Sequence, residues 1–279
     1  MGVARINVTG IVVLSLIAGV GLADTVDLYS WTAESYPAVA GFGAGVWTVA
    51  PGGDSVTQSV NGQPTLFYSD FNARGTDVRG TITKAAGASD DDYIGFALGF
   101  RPGDTGNSVA AFLLVDWKQA TQSFDFGAPS TTPGSTAQAG LAVSQVTGVP
   151  TADELWGHTD FASDAGGGVS ELAQAANLGN VGYSSGAEYD FRFVFQAASL
   201  QVYVDDVLEL DIGGSFPDGR LAFYNFSQAG VTYSAFTLDE IPEPRPIPVP
   251  GPASLPLVLL GVAGVLARRC RQGRSVPGS

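Results

Sequence analysis

One cysteine, one histidine and one methionine occur in 279 residues. With Cys270 alone, no disulfide can form within the chain. Stability therefore rests on burial, which a domain of this length can supply. His158 alone cannot build a multi-histidine metal centre, and a Ser–His–Asp arrangement would have to use it. Positive charge is scarce too: 13 Lys and Arg stand against 27 Asp and Glu, a net of −14. Such a surface repels nucleic acid and anionic lipid and suits cation binding or solubility outside the cell. Heptad-spaced apolar stripes are missing, which argues against helical bundles. What abounds is Gly (37 residues) with Ser and Thr, the vocabulary of strands and turns.

The two ends carry a different logic from the body. Residues 1–23 have Arg5, an apolar run over 11–20, and small residues at Gly21 and Ala23. They read as a secretory signal peptide cleaved before Asp24. In residues 242–254, Pro242, Pro244, Pro246, Pro248, Pro250 and Pro252 form a stiff spacer. Residues 255–267 are apolar but shorter than the about 20 that span a bilayer. The segment 255–279 closes on Arg268, Arg269, Arg271 and Arg274, a cytoplasmic-end pattern. Val249-Pro250-Gly251-Pro252-Ala253-Ser254-Leu255-Pro256 with that run and those arginines resembles the bacterial VPLPA/PEP-type C-terminal sorting signal. The resemblance implies an exosortase-type enzyme as partner and contact with the membrane during export through 255–267. A plain tail anchor is the alternative. Both place the body, residues 24–241, outside the cytoplasm, secreted or at the cell surface.

Within the body the period-2 pattern dominates. Tyr189, Phe191, Phe193 and Phe195 alternate with Asp190, Arg192 and Val194, so four aromatics share one buried face. Leu200, Val202 and Val204 repeat the pattern, Asp205-Asp206 turns the chain, and 207–212 returns it. Further strands are expected over 26–31, 46–50, 55–58, 65–69, 78–84, 93–100, 112–117, 140–146, 220–225 and 231–238. Pro51-Gly52-Gly53-Asp54 and Asn61-Gly62 read as hairpin turns. Residues 147–180 read as irregular, with one short helical turn over 170–176. About a dozen strands suit two packed antiparallel sheets.

The stretch with the most chemistry is Asp90-Asp91-Asp92-Tyr93-Ile94-Gly95-Phe96-Ala97-Leu98-Gly99-Phe100, followed by Trp117-Lys118-Gln119 and Gln122. Three adjacent carboxylates repel one another unless solvent or a cation neutralises them, and oxygen-only ligands suit a hard cation. A solvated acidic rim is the other reading. Successive side chains of an extended segment point to opposite faces, so at most two of the three can reach one ion. Asp70, Asn72 and Asp77 are the nearest candidates to complete a set.

These residues also carry a family likeness. Asp-Asp-Asp-Tyr-x-Gly-Phe-x-x-Gly-Phe with Trp-Lys-Gln resembles the thrombospondin C-terminal domain. Tyr68, Phe71, Asn72, Asp77, Gly80-Thr81, Leu155-Trp156, His158-Thr159, Gly219-Arg220-Leu221, Phe226-Ser227-Gln228, Ser234 and Phe236 agree in order over residues 60–238. The resemblance implies an all-β, lectin-like (jelly-roll or concanavalin-type) β-sandwich of two antiparallel sheets. It also implies Ca²⁺ held at Asp90, Asp91, Asp92 and Asp77, with an extracellular glycan or matrix protein as ligand. Asp116 departs from the pattern, standing where an apolar residue is usual, which questions the burial of that strand on both faces. Trp117 is expected to be buried.

Catalytic motifs fail on inspection. Gly182-Tyr183-Ser184-Ser185-Gly186 fits the nucleophile-elbow spacing, but that fold needs a histidine after the serine and His158 lies before it. Glu209-Leu210-Asp211 hints at a glucanase strand, yet the third acid would fall at Gly214. The expectation is a non-enzymatic adhesion or matrix protein. The rivals are a structural matrix component without a specific ligand and, further off, a glycan-active enzyme.

Overall fold

The aromatic alternation of residues 189–195 needs an apolar partner surface, and two stacked sheets provide it. A computed structural model describes residues 23–241 apart from 40, 88, 89, 132, 133 and 165. The expected signal peptide and C-terminal tail lie outside the described residues. Among the described residues no helix is long and apolar enough to cross a membrane.

In chain order the strands are β1 (Asp24–Thr25), β2 (Thr32–Ser35), β3 (Trp47–Val49), β4 (Ser55–Gln58), β5 (Thr65–Asn72), β6 (Thr76–Lys84), β7 (Tyr93–Phe100), β8 (Ala111–Lys118), β9 (Gln122–Phe124), β10 (Ser135–Ala137), β11 (Gly140–Gly148), β12 (Gly167–Gln174), β13 (Glu188–Gln196), β14 (Ser199–Val204), β15 (Val207–Gly213), β16 (Arg220–Phe226) and β17 (Val231–Glu240). The first sheet runs β15-β14-β13-β6-β17-β4-β3, with β1 added on β17; the second runs β12-β11-β8-β7-β16-β5-β2. All pairings in both are antiparallel. β9 and β10 form a small ribbon of their own. This is the expected two-sheet sandwich.

Between the sheets lies the main core. Phe191, Phe193 and Phe195 meet Phe96, Val115 and Trp117 from the second sheet, with Phe223 stacked on Tyr233 at 4.4 Å and 6° between planes. A bulge in β17 sets part of this packing. Val231 and Tyr233 face inward, the register slips between Ser234 and Thr237, Ala235 takes φ +56°, and Phe236 then faces inward. An extra residue at a bulge changes which alternate positions point to the core. The Phe236 ring lands over Gly80, where a Cβ would sit 2.5 Å from the ring.

The second sheet is buried on both faces, which explains why every position of β7 is inaccessible. Its outer face carries Leu66, Tyr93, Ala97, Phe100, Phe112, Leu114, Tyr224 and Phe226. A roof of chain covers them, including Phe126 and the helix α1 (Ala152–Gly157) with Leu155 and Trp156. Thr151 caps that helix and Glu154 reaches back to the Thr151 amide, a full capping box.

Several expectations need correction. Residues 170–176 are strand β12 and its exit, not a helical turn; the helix lies at 152–157, where the cap residues are. Residues 26–31 contain a 3₁₀ turn (Leu28–Ser30) capped by Asp27, not a strand. Asn61-Gly62 joins β4 to β5 across the two sheets and so closes no hairpin. The Asp116 anomaly leaves β8 intact: Asp116 is wholly buried and bonded to His158. Trp117 is buried as expected.

Candidate functional site

Asp90, Asp91 and Asp92 stand at the entry to β7, and the ladder fixes what faces them. Tyr93 pairs with Lys118 at the end of β8, so the lysine stem runs beneath the roof and its head meets the aspartates. The Lys118 ammonium is 2.8 Å from the Asp91 carbonyl, 2.8 Å from Asp92 Oδ1, 3.4 Å from Asp91 Oδ1 and 3.3 Å from Gln122 Oε1. The Trp156 ring covers it at 4.8 Å, a cation–π contact. Lys118 is fully buried and Asp92 nearly so. Burial pushes the Asp92 carboxyl above the usual range, against the pull of the lysine charge.

Other loops lock onto the same node. The Asp92 amide donates to Gln228 Oε1 at 2.9 Å, and the Tyr183 hydroxyl lies 2.6 Å from the Asp92 carbonyl. Asp90 accepts from Asn61 Nδ2 at 3.0 Å. Gly95 lies just inside, where a Cβ would strike the Val115 carbonyl at 2.3 Å, which explains the glycine in the motif.

The other expected metal ligands lie elsewhere. Asp77, at the start of β6, holds Arg192 in a two-pronged pair at 2.6 and 2.9 Å. Asn72 donates to Asp218 at 3.2 Å, and the Asp70 carbonyl accepts from Arg220. Asn72 pairs with Arg220, which pairs with Phe100, the far end of β7 from Asp92. At a rise of about 3.3 Å per residue, the two ends are roughly 25 Å apart. Asp70 and Asn72 therefore cannot complete a set with Asp90, Asp91 and Asp92, and both Asp77 oxygens are held by Arg192. Among the described residues no three His, Cys, Asp or Glu side chains are grouped to hold an ion. The six residues of the expected calcium set are thus not gathered in one place, and Asp91 and Asp92 share the Lys118 ammonium.

A second polar centre sits under the roof. His158 Nε2 is 3.0 Å from Asp116 Oδ2, and its Nδ1 is 3.7 Å from Glu171. Burial alone would lower the imidazole pKa, but the Asp116 charge and hydrogen bond, with Glu171, push it up to about 10. His158 closes α1 in the left-handed region at φ 47°.

The roof also encloses space. A cavity of about 580 Å³ opens between Tyr36, Pro64, Pro129, Val149, Pro150 and Leu155, with Thr131, Thr151 and Asp164 among its polar members. Asp164 clasps the walls together by accepting from the Thr131 amide at 2.9 Å. Among the described residues the buried Tyr36 hydroxyl has no hydrogen-bond partner. Mostly apolar walls with few polar groups are the usual make-up of a small-ligand site. Neither this cavity nor Lys118 was legible as a site in the sequence. The cavity has no motif, and Lys118 was visible only as the middle of Trp-Lys-Gln.

Known proteins resemble the chain in sequence. Thrombospondin-3b of Danio rerio is 30% identical over 203 residues, 67% of this chain and 20% of its own. Thrombospondin-3 of Mus musculus is 29% identical over 215 residues, 71% of this chain and 21% of its own. The chain thus spans about a fifth of the length of these curated relatives. Among solved structures, the carbohydrate-binding module CBM66 from Bacillus subtilis superposes with a TM-score of 0.46 at 13% identity, over 76% of this chain and 96% of its own. The VIP36 exoplasmic/lumenal domain in its Ca²⁺/Man3GlcNAc-bound form gives 0.45 at 11%, over 81% and 91%. The profile of the thrombospondin C-terminal region matches residues 43–239, the span that holds most of both sheets, the acidic node and the roof; the chain belongs to that family.

Proposed function

We propose that this chain is a non-enzymatic, lectin-like adhesion or matrix module that acts outside the cytoplasm and takes its ligand at the roof cavity. The observation that carries this reading is the cavity itself, with the clasp of Asp164 on Thr131 at its wall. The ligand class is an extracellular glycan or a matrix protein side chain, small enough for about 580 Å³. Family membership and the acidic composition support the same reading.

The absence of catalysis is part of the proposal. Glycoside hydrolysis needs two carboxyl groups facing one bond. Here Glu154 is taken by the helix cap and the Phe161 amide, and Glu34 by the amides of Gly103 and Thr105. Glu209 is taken by the amides of Asn177 and Leu178. These carboxylates act as fixed acceptors. Calcium at Asp90, Asp91 and Asp92 is not part of this reading. Export through residues 1–23, sorting by an exosortase-type enzyme at 242–279 and membrane contact through 255–267 belong to it, on the strength of the sequence pattern.

The test is a glycan array and a pull-down from matrix extract with the full chain, wild type against Asp164→Asn and the cavity-filling Val149→Trp. Loss of a charge-assisted contact should make binding at least tenfold weaker in Asp164→Asn. Unchanged binding in both folded variants would move the ligand site elsewhere. Binding to nothing by the folded wild type would favour a purely structural matrix role.

A further inference from the structure

We propose that Lys118 is the resident cation of the acidic node: its ammonium stands where a metal ion would stand, and the node needs no metal. The shape of the site argues this independently of what occupies it. A calcium ion takes 6–8 oxygens at about 2.3–2.6 Å and has no use for an aromatic face. The four oxygens around Lys118 lie at 2.8–3.4 Å, the spacing of N–H···O bonds. The side facing the roof is closed by the Trp156 ring at 4.8 Å, and Trp156 is held there by its indole N–H on the Gln122 carbonyl. One side of the cavity thus offers oxygens and the other offers a π-face, which is a receptor for an ammonium.

Neutralisation by a side chain has a structural consequence that a bound ion would not have. Lys118 belongs to β8, so the charge that holds Asp91 and Asp92 together also fixes the 90–92 entry against β8 and against the roof. Removing the ammonium leaves Asp92 buried with no charge partner, only the Ser227 hydroxyl, next to Asp91. Breaking a buried pair from one side is the costly case, whereas removing both charges can be nearly neutral.

The experiment uses the full chain and reads the thermal midpoint with CaCl₂ or with EDTA. The wild type is expected to melt at the same temperature in both. Lys118→Met should lower the midpoint by roughly 6–20 °C. Lys118→Met with Asp92→Asn should recover at least half of that loss. Should Lys118→Met fail to fold, amine acetylation of the wild type decides. Lys118 is then expected to react far more slowly than the chain's amino terminus, equally in Ca²⁺ and in EDTA. The proposal is overturned by a saturable Ca²⁺ stabilisation of the wild type that Asp91→Asn or Asp92→Asn abolishes. Failure of the double variant to recover, or Ca²⁺-dependent labelling of Lys118, would overturn it as well.

Discussion

His158 and Asp116, 42 positions apart in sequence, meet at 3.0 Å under the roof, and Glu171 closes the far side of the imidazole at 3.7 Å. The sign of their pH dependence follows from the direction of the shift. The folded pKa, about 10, lies above the unfolded value of 6.5. The stabilisation is therefore fully present below pH 6.5 and is lost as pH rises through about 10. Chemical denaturation between pH 6 and 10 should show a falling midpoint in the wild type and a flatter one in His158→Gln. Equal slopes in the two proteins would remove His158 as the source.

Asp77 and Arg192 give the second prediction. Their two-pronged pair is only partly shielded, with side chains 17% and 31% exposed. A pair of this kind is worth about 1 kcal/mol or less. Asp77→Asn should lower the thermal midpoint by no more than roughly 2–4 °C and should leave the response to Ca²⁺ and EDTA unchanged. A calcium response that disappears in Asp77→Asn would restore Asp77 to a metal site.

Gly80 and Phe236 form a space-sharing pair. A methyl group at position 80 would sit 2.5 Å from the Phe236 ring, so Gly80→Ala overpacks the core. The expected cost is about 1–3 kcal/mol, and Gly80→Ala with Phe236→Leu should be less destabilised than Gly80→Ala alone. Additive effects in calorimetry would mean that the two positions do not compete for the same volume.

The ends of the chain make a fourth prediction. Intact-mass measurement of the protein released from the cell surface should show Asp24 first and no Arg268. A soluble, exported product that retains the C-terminal arginines would rule out the sorting-signal reading.

Legibility in the sequence tracked the range of the interactions. The sandwich was readable because alternation over 189–195 and the 93–100 and 112–117 runs are local patterns that packing reinforces. The 167–174 strand was not: exposed Glu171 and Leu172 stand next to each other there, so period 2 is blurred. Thr151 and Glu154 spelled a capping box, but the six-residue helix behind it is too short for a periodic stripe. The acidic node shows the same limit more sharply. Adjacency made Asp90, Asp91 and Asp92 look like an ion site, whereas their neutralising charge arrives through the β7–β8 register from 26 residues away. Asp116 looked like a defect for the same reason, since its partner is remote in sequence.

The sheet that carries β7 and β8 has a core on each face, so neighbouring residues along one strand report on separate structures. Phe96 belongs to the packing between the sheets and Ala97 to the packing under the roof. The sandwich can therefore serve as a chassis: the roof is free to change its lining, and with it the ligand, while the positions that hold the two sheets together stay as they are. Diversification of this domain should accordingly concentrate in the segments around 36–39, 129–131 and 149–152, and should spare Trp156 and His158, which are tied to Lys118 and Asp116.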